Sequence, residues 1–512
     1  MSNRDVAATW QYHNGTKHSI QSIRANRHVL DFANQPIPYK IYTSLPPSPL
    51  PNDFSPSAVP GLDAIAATGT EPAGPRIPDR AAVARLCYFS NGITKVLRFP
   101  GGEMPFRAAA CTGALFHIEH YVICGDLPGL PAGVYHYAAH DHALRRLRAG
   151  DYRPVLVAAS GDEPAIAAAP AVIAQTTTYW RNAWKYQARA YRHAYWDDGT
   201  ILANLLAAAA GSGLPTRVVL GFADEPVNRL LDVDPDQEAA ISLVAVGRAE
   251  PPAAPAPPVT PLGLPTQRLS AHTVDYPAIR AMHAASSLAS ADEAAAWHGA
   301  AAPAPLPPAR GPVVPLEPLP PDALPTDPIE TVIRRRGSTR QFTRDPIGYD
   351  QLSTLLDRST RGYAADYRAL DRPLADLYLI VNAVDGLDAG TYVLRRAEGA
   401  LERLAAGDYR DQAGLLDLGQ ELAADAAVNC YWLTDLEPLL ARFGNRGYRA
   451  AQLDAAIEAG KLYLACYALR IGATGLTFFD DDVTTFFSPH ATGKSVLFLV
   501  ALGRPLRRRA PR

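Results

Sequence analysis

At about 100 to 200 residues per domain, a chain of 512 residues has length for two or three domains with real hydrophobic cores, which excludes a disulfide-stapled miniprotein. Its 49 Lys and Arg against 51 Asp and Glu leave a net charge of -2, so no global field attracts nucleic acid or anionic lipid, and partners must be recognised locally. The five cysteines (Cys87, Cys111, Cys124, Cys430, Cys466) form no CxxC pair and point to neither a disulfide framework nor a metal site. With an N-terminus that lacks an apolar core segment, they read as a soluble cytoplasmic protein. The longest apolar stretch, from Ile201, is too short to span a bilayer and contains Asn204, so no membrane contact is expected.

In chain order, HYVICG reads as a strand, and GVYHY with ALRRLRAGDY as a hairpin. A long helix is predicted from about Tyr191 to Ala210, stopped by Gly211-Ser212-Gly213, and the β-branched run ISLVAVG closes the block. Proline then dominates: 19 of the 46 prolines lie between Pro251 and Pro328, a composition that favours an extended connector, with room for one or two short helices between its two proline runs.

Beyond the connector the first block recurs. GLPAGVY at Gly129 returns as GLDAGTY at Gly386, and 386 minus 129 is 257. GDY at Gly150 returns at Gly407, and Arg189-Ala190-Tyr191-Arg192 as Arg446-Gly447-Tyr448-Arg449, at the same offset; ISLVAVGR returns as LFLVALGR, shifted by 256. Two copies imply a fused pseudo-dimer, in which one copy can keep chemistry that the other loses. The predicted class is α+β, with helices packed around a mostly antiparallel sheet in each copy. The expected divisions are 1–250, a connector over 251–325, and 326–512.

After the connector, Arg336-Gly337-Ser338-Thr339-Arg340 places two guanidinium groups and a hydroxyl around a glycine, a set suited to phosphate. In the first copy, FRAAACTGALFHIEHY precedes AWKYQARAYR. These segments together resemble the SagB/ThcOx family of azoline dehydrogenases, within the nitroreductase-like FMN flavoenzymes. That family's pattern is an Arg-x-Ser-x-Arg arm, a Pro-Ser-x-Gly-Ala-Leu segment, the GLxxGVYHY hairpin and a Lys-Tyr pair.

The resemblance implies two nitroreductase-like domains with FMN at their interface. It implies that Arg336, Ser338 and Arg340 hold the phosphate end and that Cys111, Thr112, Gly113, Ala114 and Leu115 face the flavin from the other copy. Lys185 and Tyr186 match the catalytic pair, and Arg504 matches a basic C-terminal residue that reaches the phosphate. Cys111 stands where the family has Ser, and His117 where it has Pro. The 257 offset takes Cys111 to Arg368, and Lys185-Tyr186 to Arg442-Phe443, so the second copy has lost the facing segment and the pair. The first copy shows Lys17-His18-Ser19 as a faint echo of the arm. One composite pocket per chain is expected.

The reaction implied is oxidation of thiazoline or oxazoline rings of a peptide or small-molecule substrate, with oxygen as the final acceptor and either Lys185 or Tyr186 as base. A cyclodehydratase-type partner and further oligomerisation fit the same reading. The alternatives are an NAD(P)H-dependent nitro or quinone reductase, and a flavin-less scaffold of a modification complex. His136, His140 and His142 read as hairpin residues, and Asp480-Asp481-Asp482 as a solvated loop capping a helix. Cys111 has no base and orienter to make it a nucleophile. The tail from Leu506 reads either as solvated or as an addition to the phosphate site.

Overall fold

Strands buried on both faces belong at the centre of a sheet covered by helices, and Ile118–Cys124 and Ala171–Thr178 are buried along their whole length. In the computed structural model, which describes residues 2–70, 74–252, 254–300 and 305–506, they sit inside a seven-stranded sheet. Its order is Ser48–Pro49, Ala143–Ala149, Gly133–Ala138, Ile118–Cys124, Ala171–Thr178, Glu238–Val246, Thr216–Val219, antiparallel throughout. The second half builds the same sheet from Val313–Pro315, Ala400–Ala406, Gly390–Arg395, Asp376–Val381, Val428–Thr434, Ser495–Gly503 and Gly472–Gly475. The class is α+β: two copies of one domain, each a central antiparallel sheet flanked by helices.

The copies meet along two long, almost wholly buried helices, Ala190–Gly211 and Arg446–Ala468. Small residues let them approach: a Cβ on Gly199 would run into that of Ala456, and one on Gly460 would lie 2.6 Å from that of Ala203. Both pairs are 257 apart (456 minus 199, 460 minus 203), so the crossing lies on the pseudo-twofold axis.

Two buried ion clusters flank it. Arg189 and Arg192 of the first helix pair with Asp480 of the second copy at 3.0 and 2.6 Å. Arg446 and Arg449 of the second helix pair with Asp224 of the first copy at 2.6 and 2.9 Å. Burial alone would raise Asp224, but Arg446 and Arg449 outweigh it and hold the carboxyl down to about 2; Asp480 is held low in the same way by Arg189 and Arg192. Asp480 is thus no solvated loop residue. Only Asp481 and Asp482 are exposed, in the first turn of the helix Asp480–Phe486.

Each cluster is completed by a short helix. Arg192 Nη2 donates to His13 O at 2.6 Å and its Nε to Thr16 Oγ1 at 3.1 Å, on Ala7–Gly15 and its cap. Arg449 Nη2 donates to His283 O at 2.8 Å and its Nε to Ser286 Oγ at 2.8 Å, on Pro277–Ala285 and its cap. Because 283 minus 13 and 286 minus 16 both equal 270, Pro277–Ala285 is the counterpart of the first helix of the chain. The second repeat therefore starts inside the proline-rich stretch, which also supplies the edge strand Val313–Pro315.

Replacing Asp224 by Asn should leave Arg446 and Arg449 buried without a counter-charge and cost about 3 to 5 kcal/mol in denaturant unfolding. The depressed carboxyls set the acid limit as well. Their contribution is complete above the unfolded carboxyl value near 3.8 and is lost as pH falls through the folded value of about 2 for Asp224, which an acid unfolding titration would show as a transition in that window.

Candidate active site

The arm leaves the helix Ile329–Arg335, and its first residue turns back into the other copy. Arg336 Nε donates to Ala108 O at 2.8 Å and Nη2 to Arg107 O at 3.1 Å, immediately upstream of the 110–116 loop. Ser338 Oγ accepts from Tyr463 OH at 2.8 Å, Thr339 N donates to Ala473 O at 3.0 Å, and the Thr339 and Tyr467 hydroxyls are 3.1 Å apart. The Tyr463 and Tyr467 rings lie stacked on the second central helix, 6.1 Å between centres. Ser338 and Arg340 remain exposed.

Opposite the arm, the 110–116 loop is held by the first central helix. Thr200 Oγ1 donates to Ala110 O at 2.7 Å. Asp197 Oδ1 accepts from Thr112 N at 2.8 Å and Thr112 Oγ1 at 2.7 Å, while Oδ2 lies 3.1 Å from Cys111 Sγ and 2.9 Å from His117 Nε2. Three positive φ angles, 66° at Gly113, 55° at Ala114 and 47° at Phe116, show that this loop is held in a tight conformation that the surrounding bonds must enforce. The Cys111 sulfur also accepts from Phe116 N at 3.1 Å, which ties the thiol into the loop.

Lys185 and Tyr186 end the helix Tyr179–Tyr186, which Gln187 breaks at φ 51°. The Tyr186 hydroxyl is so close to Gly113 that a Cβ there would be 2.8 Å from it. The Tyr186 ring meets His193 edge-on at 4.6 Å, His193 meets Trp196 at 4.9 Å, and Trp196 reaches Phe478 of the second copy at 5.9 Å. Burial, then Asp197 and Cys111, push the Tyr186 hydroxyl well up, so it stays a neutral phenol. Of the two residues read as candidate bases, Lys185 is exposed, with Nζ 5.3 Å from the ring centre.

A strap over this pair carries no signal in the sequence. Asn26 Nδ2 donates to Gln187 Oε1 at 2.9 Å, His28 Nε2 is 2.9 Å from Trp184 O, and Trp184 Nε1 donates to Asp31 O at 3.0 Å. The segment Asn26-Arg27-His28-Val29-Leu30-Asp31 mixes charged and apolar residues with no periodicity to place it.

Other expected residues go elsewhere. Arg504 does not join the arm, because its guanidinium donates to Gln351 Oε1 at 3.0 Å and Pro346 O at 3.3 Å. Residues 507–512 of the basic tail lie outside the described residues. His136 meets Glu119 at 3.0 Å and His142 meets Tyr137 OH at 2.9 Å, so the hairpin histidines do not converge.

Lys17-His18-Ser19 is not an arm. Asp480 N donates to His18 O as Asp224 N does to Leu288 O, both at 3.1 Å, which makes Ser287-Leu288-Ala289 its counterpart at the 270 offset (288 minus 18). Nearer the arm the spacing is 268, set by Pro60 and Pro328, which pair with each other across the copies (328 minus 60), so Arg336-Gly337-Ser338 falls on Thr68-Gly69-Thr70, which carries no cation. The facing segment of copy two is closed as well. Arg368 Nη1 and Leu374 N donate to Asp454, the counterpart of Asp197, each at 2.7 Å.

The fold defines a two-copy scaffold in which the arm of the second copy meets the first copy just before its 110–116 loop. Residues 115–248 and 333–504 match the nitroreductase family, and the chain belongs to that family as a tandem, SagB-like member. Members of this family are oxidoreductases that typically bind flavin. The chain is 29% identical to MJ1384 of Methanocaldococcus jannaschii, named for the same family, over 166 residues, 32% of this chain and 79% of that protein. It is 34% identical to the trifolitoxin-processing protein TfxB of Rhizobium leguminosarum bv. trifolii over 170 residues, 32% of this chain and 46% of TfxB, so the match spans less than half of TfxB. A crystal structure of an Anabaena variabilis protein named for the family superposes with a TM-score of 0.74 at 25% identity, covering 98% of this chain and 99% of that one. Among the described residues, no helix is long and apolar enough to cross a membrane.

Gly113→Ala places a Cβ against the Tyr186 hydroxyl at a positive φ and should cost about 1 to 2 kcal/mol. Thermal unfolding would register the strain, and a shift of the tyrosine near-UV signal the displaced ring.

Proposed function

We propose that the chain is an FMN-dependent dehydrogenase that oxidises thiazoline or oxazoline rings in a peptide-derived substrate to the aromatic azoles. The observation that carries this reading is the insertion of the copy-two arm, through Arg336, against the copy-one loop beside Lys185 and Tyr186. The residues fit the cofactor. Arg336, Arg340 and Ser338 offer two cations and a hydroxyl to a terminal phosphate. Thr477 Oγ1, buried and without a hydrogen-bond partner among the described residues, lies past the strand whose Ala473 anchors Thr339. No GxGxxG segment is present to receive the pyrophosphate of FAD.

FMN supplies the two-electron acceptor for the ring hydride. The protein's part is to orient the substrate and take the accompanying proton. The neutral Tyr186 hydroxyl suits hydrogen bonding to the ring, which leaves Lys185, acting from its free-amine form, as the proton acceptor of the pair and the ammonium as its product. The likeness to TfxB supports a peptide substrate, and with it a partner enzyme that forms the azoline by cyclodehydration.

The purified protein should be yellow, release FMN and no FAD, and carry one flavin per chain, as read from the visible spectrum against protein concentration. Anaerobic addition of an azoline peptide should bleach the flavin and remove two hydrogens from the peptide by mass. Bleaching by NAD(P)H in place of the peptide would favour the reductase reading, and a colourless protein the scaffold.

Arg336→Ala should weaken FMN retention by about 1.5 to 3 kcal/mol for each charge-assisted bond lost, measured by flavin release on dilution. Lys185→Ala should retain the flavin and slow single-turnover bleaching by about 10²-fold or more, whereas Arg442→Ala in the second copy should not.

A further inference from the structure

Asp197 and Asp454 occupy equivalent places in the two copies (454 minus 197 is 257), yet their charges are met differently. Asp454 is compensated by the Arg368 guanidinium at 2.7 Å, and Arg368 stands at the position equivalent to Cys111. Asp197 is equally buried, but among the described residues no Arg or Lys reaches it. In place of a guanidinium it meets a thiol and an imidazole, both on the single oxygen Oδ2. Cys111 Sγ, His117 Nε2 and an Asp197 oxygen all lie within 4.8 Å of one another. The sequence did not show this set, because 80 residues separate His117 from Asp197.

We propose that Cys111, His117 and Asp197 form a binding site for a zinc-class divalent cation, which supplies the counter-charge that Arg368 supplies in copy two. The ligand types are those of three-ligand zinc sites. Zinc bonds of about 2.3 Å to sulfur and about 2.0 to 2.1 Å to nitrogen and oxygen, at tetrahedral angles, set S···O near ~3.5 Å and N···O near ~3.4 Å. The present separations of 3.1 and 2.9 Å need only open by a few tenths of an ångström.

The surroundings suit ligation. His117 Nδ1 is 2.9 Å from Thr177 Oγ1, so the ring can donate there while Nε2 keeps its lone pair for the metal. On binding, the Cys111 thiol proton leaves to solvent and the His117 proton resides on Nδ1. Thiolate and carboxylate then neutralise the dication, and both copies hold a neutral buried centre. Cys111 is half-buried, whereas His117 and Asp197 are covered, which leaves the fourth position on the Cys111 side. The site does not depend on the redox reading above.

The test uses full-length, tag-free protein, stripped with chelator and titrated with Co²⁺, whose ligand-field bands lie to the red of any flavin absorption. One Co²⁺ per chain with the intense bands of a four-coordinate site, displaced by Zn²⁺, is expected. Cys111→Ser, which can keep the hydrogen bond to Asp197, should abolish the sulfur-to-metal charge-transfer band. Thr177→Val, close in shape to the original, should weaken binding about 10- to 100-fold with an unchanged circular dichroism spectrum. Cys124→Ser, at a cysteine buried in another strand, should change nothing. No stoichiometric uptake by folded protein, or a charge-transfer band that survives Cys111→Ser, overturns the proposal.

Discussion

The structure turns on two crossed clusters in which a carboxylate of one copy bridges two arginines of the other: Asp480 with Arg189 and Arg192, and Asp224 with Arg446 and Arg449. Six buried charges of this kind persist only if the geometry is kept, because withdrawing one partner strands the rest in a medium that cannot solvate them. The clusters lie on the two helices that cross at Gly199 and Gly460, so they fix how the copies face each other. That orientation in turn brings Arg336 of the second copy to Arg107 and Ala108 of the first. The composite site follows from the interface and could not be built by either copy alone.

Symmetry at the interface coexists with asymmetry at the two equivalent sites. In copy one the loop around Asp197 is held by short side chains and hydrogen bonds, with Thr112, Cys111 and His117 around the carboxylate and Tyr186 packed on Gly113. In copy two, Arg368 reaches Asp454 and Glu458, and Tyr363 adds a bond of 2.6 Å to Asp454, so the equivalent space is taken up by protein. Burial holds Lys461 on the same helix down at about 7, with its Nζ donating to Gly362 O at 2.7 Å. Paired and desolvated charge thus fills the second copy where the first has a loop of short side chains.

Much of the outcome was legible in the chain itself, for reasons local to it. Repeats kept at one offset needed only the sequence to reveal two copies, and strand runs such as ISLVAVG and the Gly211-Ser212-Gly213 stop carry their own conformational preference. The arm, the facing loop and the Lys-Tyr pair were each found as motifs because their residues are contiguous.

What depends on distance in space was decided only by the tertiary structure. Asp480 read as a loop acid and became the hub of a buried cluster, because its arginines come from the other copy. Lys17-His18-Ser19 read as a faint echo of the arm, and only its pairing with Asp480 showed that its counterpart is Ser287-Leu288-Ala289, at an offset that differs from 257 because the connector lengthens the chain between the repeats. Either Lys185 or Tyr186 read as the base, but burial and Asp197 set the protonation of the Tyr186 hydroxyl. Sequence thus determined the repeated fold and the residue types of the site, since those follow from local pattern. The protonation of Tyr186, the direction of Arg504 and the gathering of Cys111, His117 and Asp197 were left to packing, since electrostatics and coordination act through space and take no account of chain order.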